Sequence, residues 1–417
     1  MTTTINNEHK KLNVPNLRFS EFQGEWEKCK LGDYGKVVTG NTPPTKDIEN
    51  YENGTYLWAS PADLGTIKSI TETKTMLSAQ GFSKTRTLPK GSVLVTCIGS
   101  TIGKAGMATK EMSTNQQINS IVVNENNDNE FVYYAIQSAF PRYLSSIAVQ
   151  AVPIISKSAF EMLPNKRPCL QEQKKIGKFL SLLDERIATQ NKIIEDLKKL
   201  KCAIIEKHFR QAKLHKYKIC DLGVPFSVGS LSKEDLSEEG HECILYGELF
   251  TTYDCVINEV KSHTNKIANT TLSQKGDLLF PSSTTVDAVS LISPSVIDIP
   301  NVILGGDMFG IHIDKKFNAY YLSYYINLIA RKKLAIYAKG STIIHLHYKD
   351  IAKAQLLLPD LCEQDKIAKC MMAEDAKIKV EEQLLTKLEK QKQYLLLLFI
   401  MFQQSFAYYK FCFISFQ

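Results

Sequence analysis

Polar side chains suited to selective contact gather in a few loop stretches: Asn41 and Thr42; Ser60 and Asp63; Ser100, Thr101 and Lys104; Ser282, Ser283, Thr284 and Thr285; and Lys339, Ser341 and Thr342. Lysines, hydroxyls and glycine amides are the groups that hold phosphate oxygens, while Asn, Asp and Gln match the donor and acceptor pattern of base edges. Taken one at a time, each residue is ordinary loop chemistry. Their recurrence after equivalent strands makes the set a candidate nucleic-acid surface.

Catalytic signatures fail by comparison. Gly99 to Lys104 resembles a phosphate loop but has one residue too few between its glycines, and Ala105 stands where Ser or Thr would bind magnesium. Asp360, Glu363, Asp365 and Lys366 crowd the start of a helix, where acids satisfy backbone donors, so the cluster reads as capping. His345 and His347 could present two imidazoles on one strand face, but no carboxylate or cysteine accompanies them in the sequence, and they read as surface or core histidines. There is no Gly-x-Ser-x-Gly elbow and no dinucleotide fingerprint. The expectation is a chain without catalytic residues, bound metal or cofactor.

The loops must be held by strands that feed them. In the first half, Lys30 to Gly40 reads as a strand and turn, Tyr56 to Leu64 as a short strand ending in a capped turn, and Val93 to Val95 as a buried strand emptying into Gly99 to Lys104. Asn119 to Val123 is another strand, Phe131 to Phe140 a short helix, and Pro153 to Ser156 an extended piece. The second half repeats the plan with drift. Lys275 to Leu279 echoes Lys90 to Leu94, Phe309 to Ile313 takes the place of Asn119 to Val123, and Thr342 to Ile344 that of Pro153 to Ile155.

Both halves end in the same kind of helix. Core-type positions step by fours and threes through Ile176, Leu180, Leu183, Ile187, Gln190, Ile194, Leu197, Lys201 and Ile204, a heptad seam. Shifted by 191 positions, the seam returns as Ile367, Met371, Glu374, Ile378, Glu381, Leu385, Leu388, Lys392 and Leu395. Even the polar interruptions at Gln190 and Lys201 recur, as Glu381 and Lys392. Such interruptions cost stability but limit register slips. A heptad seam alone means only a coiled coil. Helices of roughly 40 residues, on the order of 60 Å long, suggest a spacer. Lying antiparallel, one from each half, they would hold two unlike heads at a set separation, much as dimeric DNA readers space half-sites by roughly 34 to 36 Å.

The composition permits this reading. With 417 residues and 44% hydrophobic content the chain has room for two or three domains with real cores, and 51 basic against 44 acidic residues give a net charge of +7, compatible with an anionic partner. Ten scattered cysteines form no Cys-x-x-Cys pair, so neither a disulfide framework nor a zinc ribbon is indicated, and a reducing cytoplasm fits best. Met1 to Lys11 is polar and lacks the apolar core of an export signal. Leu395 to Phe416 is apolar, but Gln403, Gln404, Ser405 and Lys410 interrupt it, and it reads as a buried or sticky helix end and not as a membrane span. The expected divisions are residues 1–165 and 216–357 as the two globular modules, 166–215 and 358–403 as the repeated helices, and 404–417 as an apolar tail.

Val14-Pro15-x-Leu17-Arg18-Phe19 with Gly24-Glu25-Trp26, Thr42-Pro43-Pro44, Trp58-Ala59-Ser60-Pro61-x-Asp63-Leu64, Gly91-Ser92-Val93-Leu94 and Gly99-Ser100-x-x-Gly103-Lys104 occur in that order. Ile155-Ser156-Lys157 then leads to Pro168-x-Leu170-x-Glu172-Gln173-x-Lys175-Ile176, whose helix start returns as Pro359-x-Leu361-x-Glu363-Gln364-x-Lys366-Ile367. This series resembles the specificity subunits of type I restriction-modification enzymes over nearly the whole chain, the doubled helix start being its most specific mark. The resemblance implies an α+β fold: two mixed α/β target recognition domains joined by two long antiparallel coiled-coil helices, in an internal pseudo-two-fold repeat. It implies a non-catalytic subunit that reads a bipartite, asymmetric site on double-stranded DNA. Methyltransferase subunits would use S-adenosylmethionine, restriction subunits ATP and magnesium. The second module departs from the pattern, since Pro281-Ser282-Ser283-Thr284-Thr285 replaces the loop that ends in Lys104. The competing expectation is a coiled-coil scaffold with two protein- or glycan-binding modules.

Overall fold

The structure is a computed structural model and describes residues 2–3, 13–65, 67–146 and 153–400. The chain divides into two compact units, Met1–Gln190 with Leu384–Gln417, and Asn191–Gln383. The apolar tail expected at 404–417 lies outside the described residues.

The first unit is built on a five-stranded sheet of β1 (Gly35–Thr39), β2 (Ser69–Ile70), β3 (Val93–Thr96), β4 (Ala105–Ala108) and β5 (Ile118–Val123), in spatial order β1-β5-β3-β4-β2. All neighbours are antiparallel except the β4–β2 pair, which is parallel. β3 is buried at every position, as its unbroken apolar run requires of a central strand. The turn before it needs glycine: Gly91 has φ +85, and an added Cβ would stand 2.0 Å from the Asn129 side-chain nitrogen. Helix α1 (Asn129–Ser146) runs past the expected Phe131–Phe140 at both ends: Asp128 caps its start by accepting from the Phe131 N–H at 2.9 Å, and the helix continues through Pro141. Its Phe131, Tyr134 and Phe140 join Trp26, Tyr34 and Phe160 in a closed core. Burying each such ring contributes roughly 1.5–3 kcal/mol.

The second unit repeats the sheet with β6 (Gly223–Ser227), β7 (Val256–Ile257), β8 (Asp277–Pro281), β9 (Ser295–Ile297) and β10 (Met308–Ile313), ordered β6-β10-β8-β9-β7. The directions match as well, the β9–β7 pair again being parallel. The auxiliary sheets differ in size. In the first unit Tyr56–Ala59 runs parallel to Ser113–Thr114 in a three-stranded sheet, whereas in the second His241–Leu245 runs parallel to Ile303–Gly305 in a five-stranded one.

The two long helices form where the heptad seams predict. The chain forms one helix over Leu170–Gln211 and a second over Leu361–Ile400. In the first unit, Ile176 and Leu180 from the former meet Leu396, Phe399 and Ile400 from the latter in the core. In the second unit, Ile205 meets Ile367 and Met371. The pairing is antiparallel within each unit: Phe179 packs on Phe399 and Asp184 on Lys392 in the first, Lys198 pairs with Glu382 and Lys201 with Asp375 in the second. The repeated glutamine at each helix start has one task. Gln173 donates to the Pro168 carbonyl at 3.0 Å and accepts from the Asp128 N–H at 3.1 Å, while Gln364 donates to the Pro359 carbonyl at 2.8 Å and accepts from the Asn318 N–H at 3.0 Å. Each ties its long helix to the start of the helix behind the sheet, α1 in the first unit and α2 (Ala319–Tyr325) in the second. Asp360 caps its helix as expected, accepting from the Glu363 N–H at 3.0 Å. Among the described residues no helix is long and apolar enough to cross a membrane.

Candidate nucleic-acid interface

In the first unit the loop after β3 is anchored by its backbone. Cys97 donates its N–H to the Gln117 carbonyl at 2.8 Å, and its own carbonyl accepts from Ile155 at 2.8 Å. Gly99 donates to the Pro153 carbonyl at 3.1 Å, and Asn41, after β1, donates to the Thr114 carbonyl at 2.9 Å. Four segments thereby share one rim: Asn41 with Thr42, Gln116 with Gln117, the loop from Gly99 to Lys104, and Pro153 to Ile155. The loop turns on two glycines in the left-handed region, Gly99 at φ +94 and Gly103 at φ +91, and an added Cβ at Gly103 would strike the Phe140 ring at 2.6 Å.

The side chains predicted from sequence fall into different situations on this rim. Lys104 is exposed, its stem lies against Gly65, and Ser100 beside it is exposed too, with Thr101 half-buried. Thr42 donates to the Gln116 side-chain oxygen at 2.5 Å. Asn41 is committed at both ends of its amide, donating to the Lys84 carbonyl at 2.9 Å and accepting from the Arg86 N–H at 2.8 Å, so it staples loops together. Ser60 and Asp63 form a closed capping box. One Asp63 oxygen accepts from the Ser60 N–H at 2.8 Å and hydroxyl at 2.7 Å, and the other from the Lys74 N–H at 2.9 Å.

The second unit builds the same frame with other residues. Ser282 donates its N–H to the Asp307 carbonyl at 2.7 Å, and its carbonyl accepts from Leu346 at 2.8 Å, the two bonds that Cys97 makes with Gln117 and Ile155. Ser282 and Ser283 are buried, and Ser283–Thr284 is a short strand paired with Ile344–His345. Lys339 and His345 exchange backbone hydrogen bonds of 2.9 and 2.7 Å, closing a hairpin whose tip carries exposed Ser341 and Thr342. Thr284 accepts from the Val286 N–H at 3.2 Å, Thr285 is exposed, and the Lys339 ammonium is held by Asp350 at 2.5 Å. The structure therefore gathers all seven predicted second-unit residues on Ser282 to Thr285 and the neighbouring hairpin.

Sequence reasoning missed several polar groups on the two rims. A bridge between Gly229 and Gly305 brings Ser230 and Ser232 beside Asp307, and together with Asp235 and Lys266 they line a cavity of about 620 Å³. Asp235 and Lys266 pair at 3.0 Å, and the Ser232 N–H, followed by the Lys266 ammonium, holds the Asp235 carboxyl below its usual range. In the first unit the omissions are Gln116 and Gln117. A signal did exist: Gln117 and Asp307 each lie two residues before the matched segments beginning at Asn119 and Phe309. His345 and His347 stack with ring centroids 6.1 Å apart, and the fold supplies the neighbouring carboxylate that the sequence did not suggest, Asp307 at 3.9 Å from His345. Among the described residues no group of three His, Cys, Asp or Glu side chains is placed to hold a metal ion.

Comparison with known proteins gives a consistent result. Residues 23–199 and 212–390 each match the family described as type I restriction modification DNA specificity domain. The type I restriction enzyme MjaIX specificity subunit of Methanocaldococcus jannaschii is 29% identical over 191 residues, and the match spans 44% of this chain and 44% of that protein, less than half its length. The MjaVIII specificity subunit of the same organism is 24% identical over 418 residues, covering 90% of this chain and 93% of the relative. Among solved structures, the type I restriction-modification S subunit from M. genitalium shares the fold with a TM-score of 0.60 at 17% identity, over 93% of this chain and 99% of that one.

Proposed function

Because the chain belongs to the type I restriction modification DNA specificity family and carries its domain twice, we propose that it is the sequence-reading subunit of a type I restriction-modification complex. It recognises a bipartite, asymmetric site on double-stranded DNA and supplies no catalysis. Methyltransferase subunits modify adenine with S-adenosylmethionine, and restriction subunits cut with ATP and magnesium. The repeated helices serve as ruler and docking surface.

The observation that carries this reading is one hydrogen-bonded frame dressed with unlike side chains. Cys97, Gln117 and Ile155 in the first unit correspond to Ser282, Asp307 and Leu346 in the second, so the counterpart of Ile155 lies two residues beyond the Ile344 matched from sequence. Equal frames keep the two reading surfaces equivalent in construction, and unequal residues give them different targets. A scaffold binding proteins or glycans, the competing expectation, finds no support in the family match.

The test is a domain exchange. The chain is co-produced with methyltransferase subunits, residues 216–357 are replaced by the matching segment of a relative, and methylated adenines are mapped across the host genome. One half of the split site changes and the other stays. A change in both halves, or in neither, overturns the modular reading.

A further inference from the structure

The shared frame places one polar residue at the same point of both units, immediately before the strand that carries the sheet away from the rim. In the first unit it is Gln117, before β5; in the second it is Asp307, before β10. Their backbone carbonyls accept the equivalent bonds from Cys97 and Ser282. Their side chains offer opposite chemistry.

The orientation of the Gln117 amide is fixed by its neighbour. Asn115 accepts the Gln117 backbone N–H on its side-chain oxygen at 3.0 Å, which leaves the Asn115 amide nitrogen to donate to the Gln117 side-chain oxygen, also at 3.0 Å. The oxygen of Gln117 is thus occupied. Its Nε2 is the group left to donate, and it lies beside the loop turn, 3.9 Å from where a Cβ on Gly99 would stand, an ordinary contact distance; glycine itself is required there by its φ of +94. Asp307 is an exposed carboxylate at the lip of the 620 Å³ cavity, with Ser230 and Ser232 lining the same space. It can only accept.

We infer that Gln117 and Asp307 are the paired specificity-determining positions of the two modules, Gln117 donating to an acceptor on a base edge in one half-site and Asp307 accepting from a base amino group in the other. The inference rests on the DNA-reading function proposed above. In the major groove the acceptors are guanine O6 and N7, thymine O4 and adenine N7, and the amino donors are adenine N6 and cytosine N4. Beyond the His345 ring nitrogen 3.9 Å away, a carboxylate on a surface that meets phosphates disfavours DNA unless a base amino group answers it. Asp307 therefore selects both by attraction and by rejecting bases without a donor.

The experiment uses the chain with its methyltransferase subunits and a library of randomised duplex DNA, sequenced for adenine methylation, with Gln117→Glu and Asp307→Asn as variants. Gln117→Glu turns the free donor into an acceptor. Methylation of the original site is expected to fall about 10- to 100-fold, with preference at one position of the first half-site moving to a base that bears an amino group. Asp307→Asn is expected to relax one position of the second half-site while the first keeps its sequence. Where Gln117→Glu fails to assemble with its partners, Gln117→Met removes the donor without adding charge, and loss of preference at the same single position is expected. Unchanged preferences, or a uniform loss over all sequences, overturn the assignment. If the unaltered complex methylates no split site, the proposed function itself fails; if it does so and the variants keep its preferences, only these two residues are misassigned.

Discussion

Lys392 forms an ion pair with Asp184 in the first unit, and the pair has a twin: Lys201 with Asp375 in the second. Both partners are displaced by the same 191 positions as the helix seam. A tyrosine from the helix behind the sheet completes each site. Tyr134 donates to Asp184 with Lys392 lying 5.8 Å from its ring, and Tyr324 donates to Asp375 at 2.5 Å with Lys201 at 4.9 Å. The lysine interruptions of the seam are thus repeated three-way contacts between both long helices and the module they support.

Lys201→Met should destabilise the second unit by about 1–3 kcal/mol, less than a fully buried pair because the Lys201 and Asp375 side chains retain 14% and 31% exposure. Urea unfolding of Lys201→Met, Asp375→Asn and the double variant checks this. The expected coupling is above about 0.5 kcal/mol; simple additivity would refute the contact.

The two copies of the helix-start glutamate should behave differently. Glu172 has no exposed surface and takes two hydrogen bonds from Arg18, at 2.8 and 2.7 Å, with the Trp26 ring nitrogen at 3.4 Å. Glu172→Ala strands a guanidinium that is nearly buried, and a loss of about 3–5 kcal/mol is expected. Glu363 is 38% exposed and pairs with Lys366 one turn along its own helix. Glu363→Ala should leave the thermal midpoint within experimental scatter.

Lys104 is exposed at the end of its loop. If it holds a phosphate, Lys104→Ala weakens binding to all sequences alike and reduces the slope of log K against log salt by about one unit. Titrations at several salt concentrations on cognate and random duplexes decide it, since an altered base preference would make Lys104 a base reader instead.

Alkaline pH should loosen the first unit. Burial pushes the Cys97 thiol from its ordinary 9.0 up to about 12 and the Cys29 thiol up to about 11. The native pKa exceeds the unfolded one, so the unfolded chain loses these protons first. The stability they contribute is complete below about 9 and declines as pH rises toward 11 to 12. Melting temperatures at pH 8, 9 and 10.5 should fall across the last interval, less steeply for Cys97→Ser. A level profile in both proteins would contradict the assignment.

The repeat was legible because it rests on apolar periodicity and on a short motif, Leu-x-Glu-Gln-x-Lys-Ile, whose glutamine performs the same capping task in both units. The candidate contact surface was legible only in outline. Ser282 and Ser283 stand in a hydroxyl-rich run that signals a loop, yet pairing with Ile344–His345 buries them. Asn41 looks like a base reader until Lys84 and Arg86 claim both ends of its amide. Gln117 and Asp307 differ in charge and shape, so only their shared place two residues before matched strands hints at the link; the equivalence becomes plain in which carbonyl accepts from Cys97 and which from Ser282.

Phe399, fully enclosed, stacks on Phe19 at 5.1 Å and leans on Phe179 at 5.4 Å, so the first module borrows a wall from the last stretch of polypeptide described. A ribosome that has just delivered residue 383 has supplied everything the second unit contains, while the earlier-made unit still lacks that wall. The half synthesised first is the half finished last. Until Phe399 is made the aromatic floor at Phe19 and Phe179 is bare, a surface for chaperones to hold, and a premature stop near residue 383 would leave it bare for good.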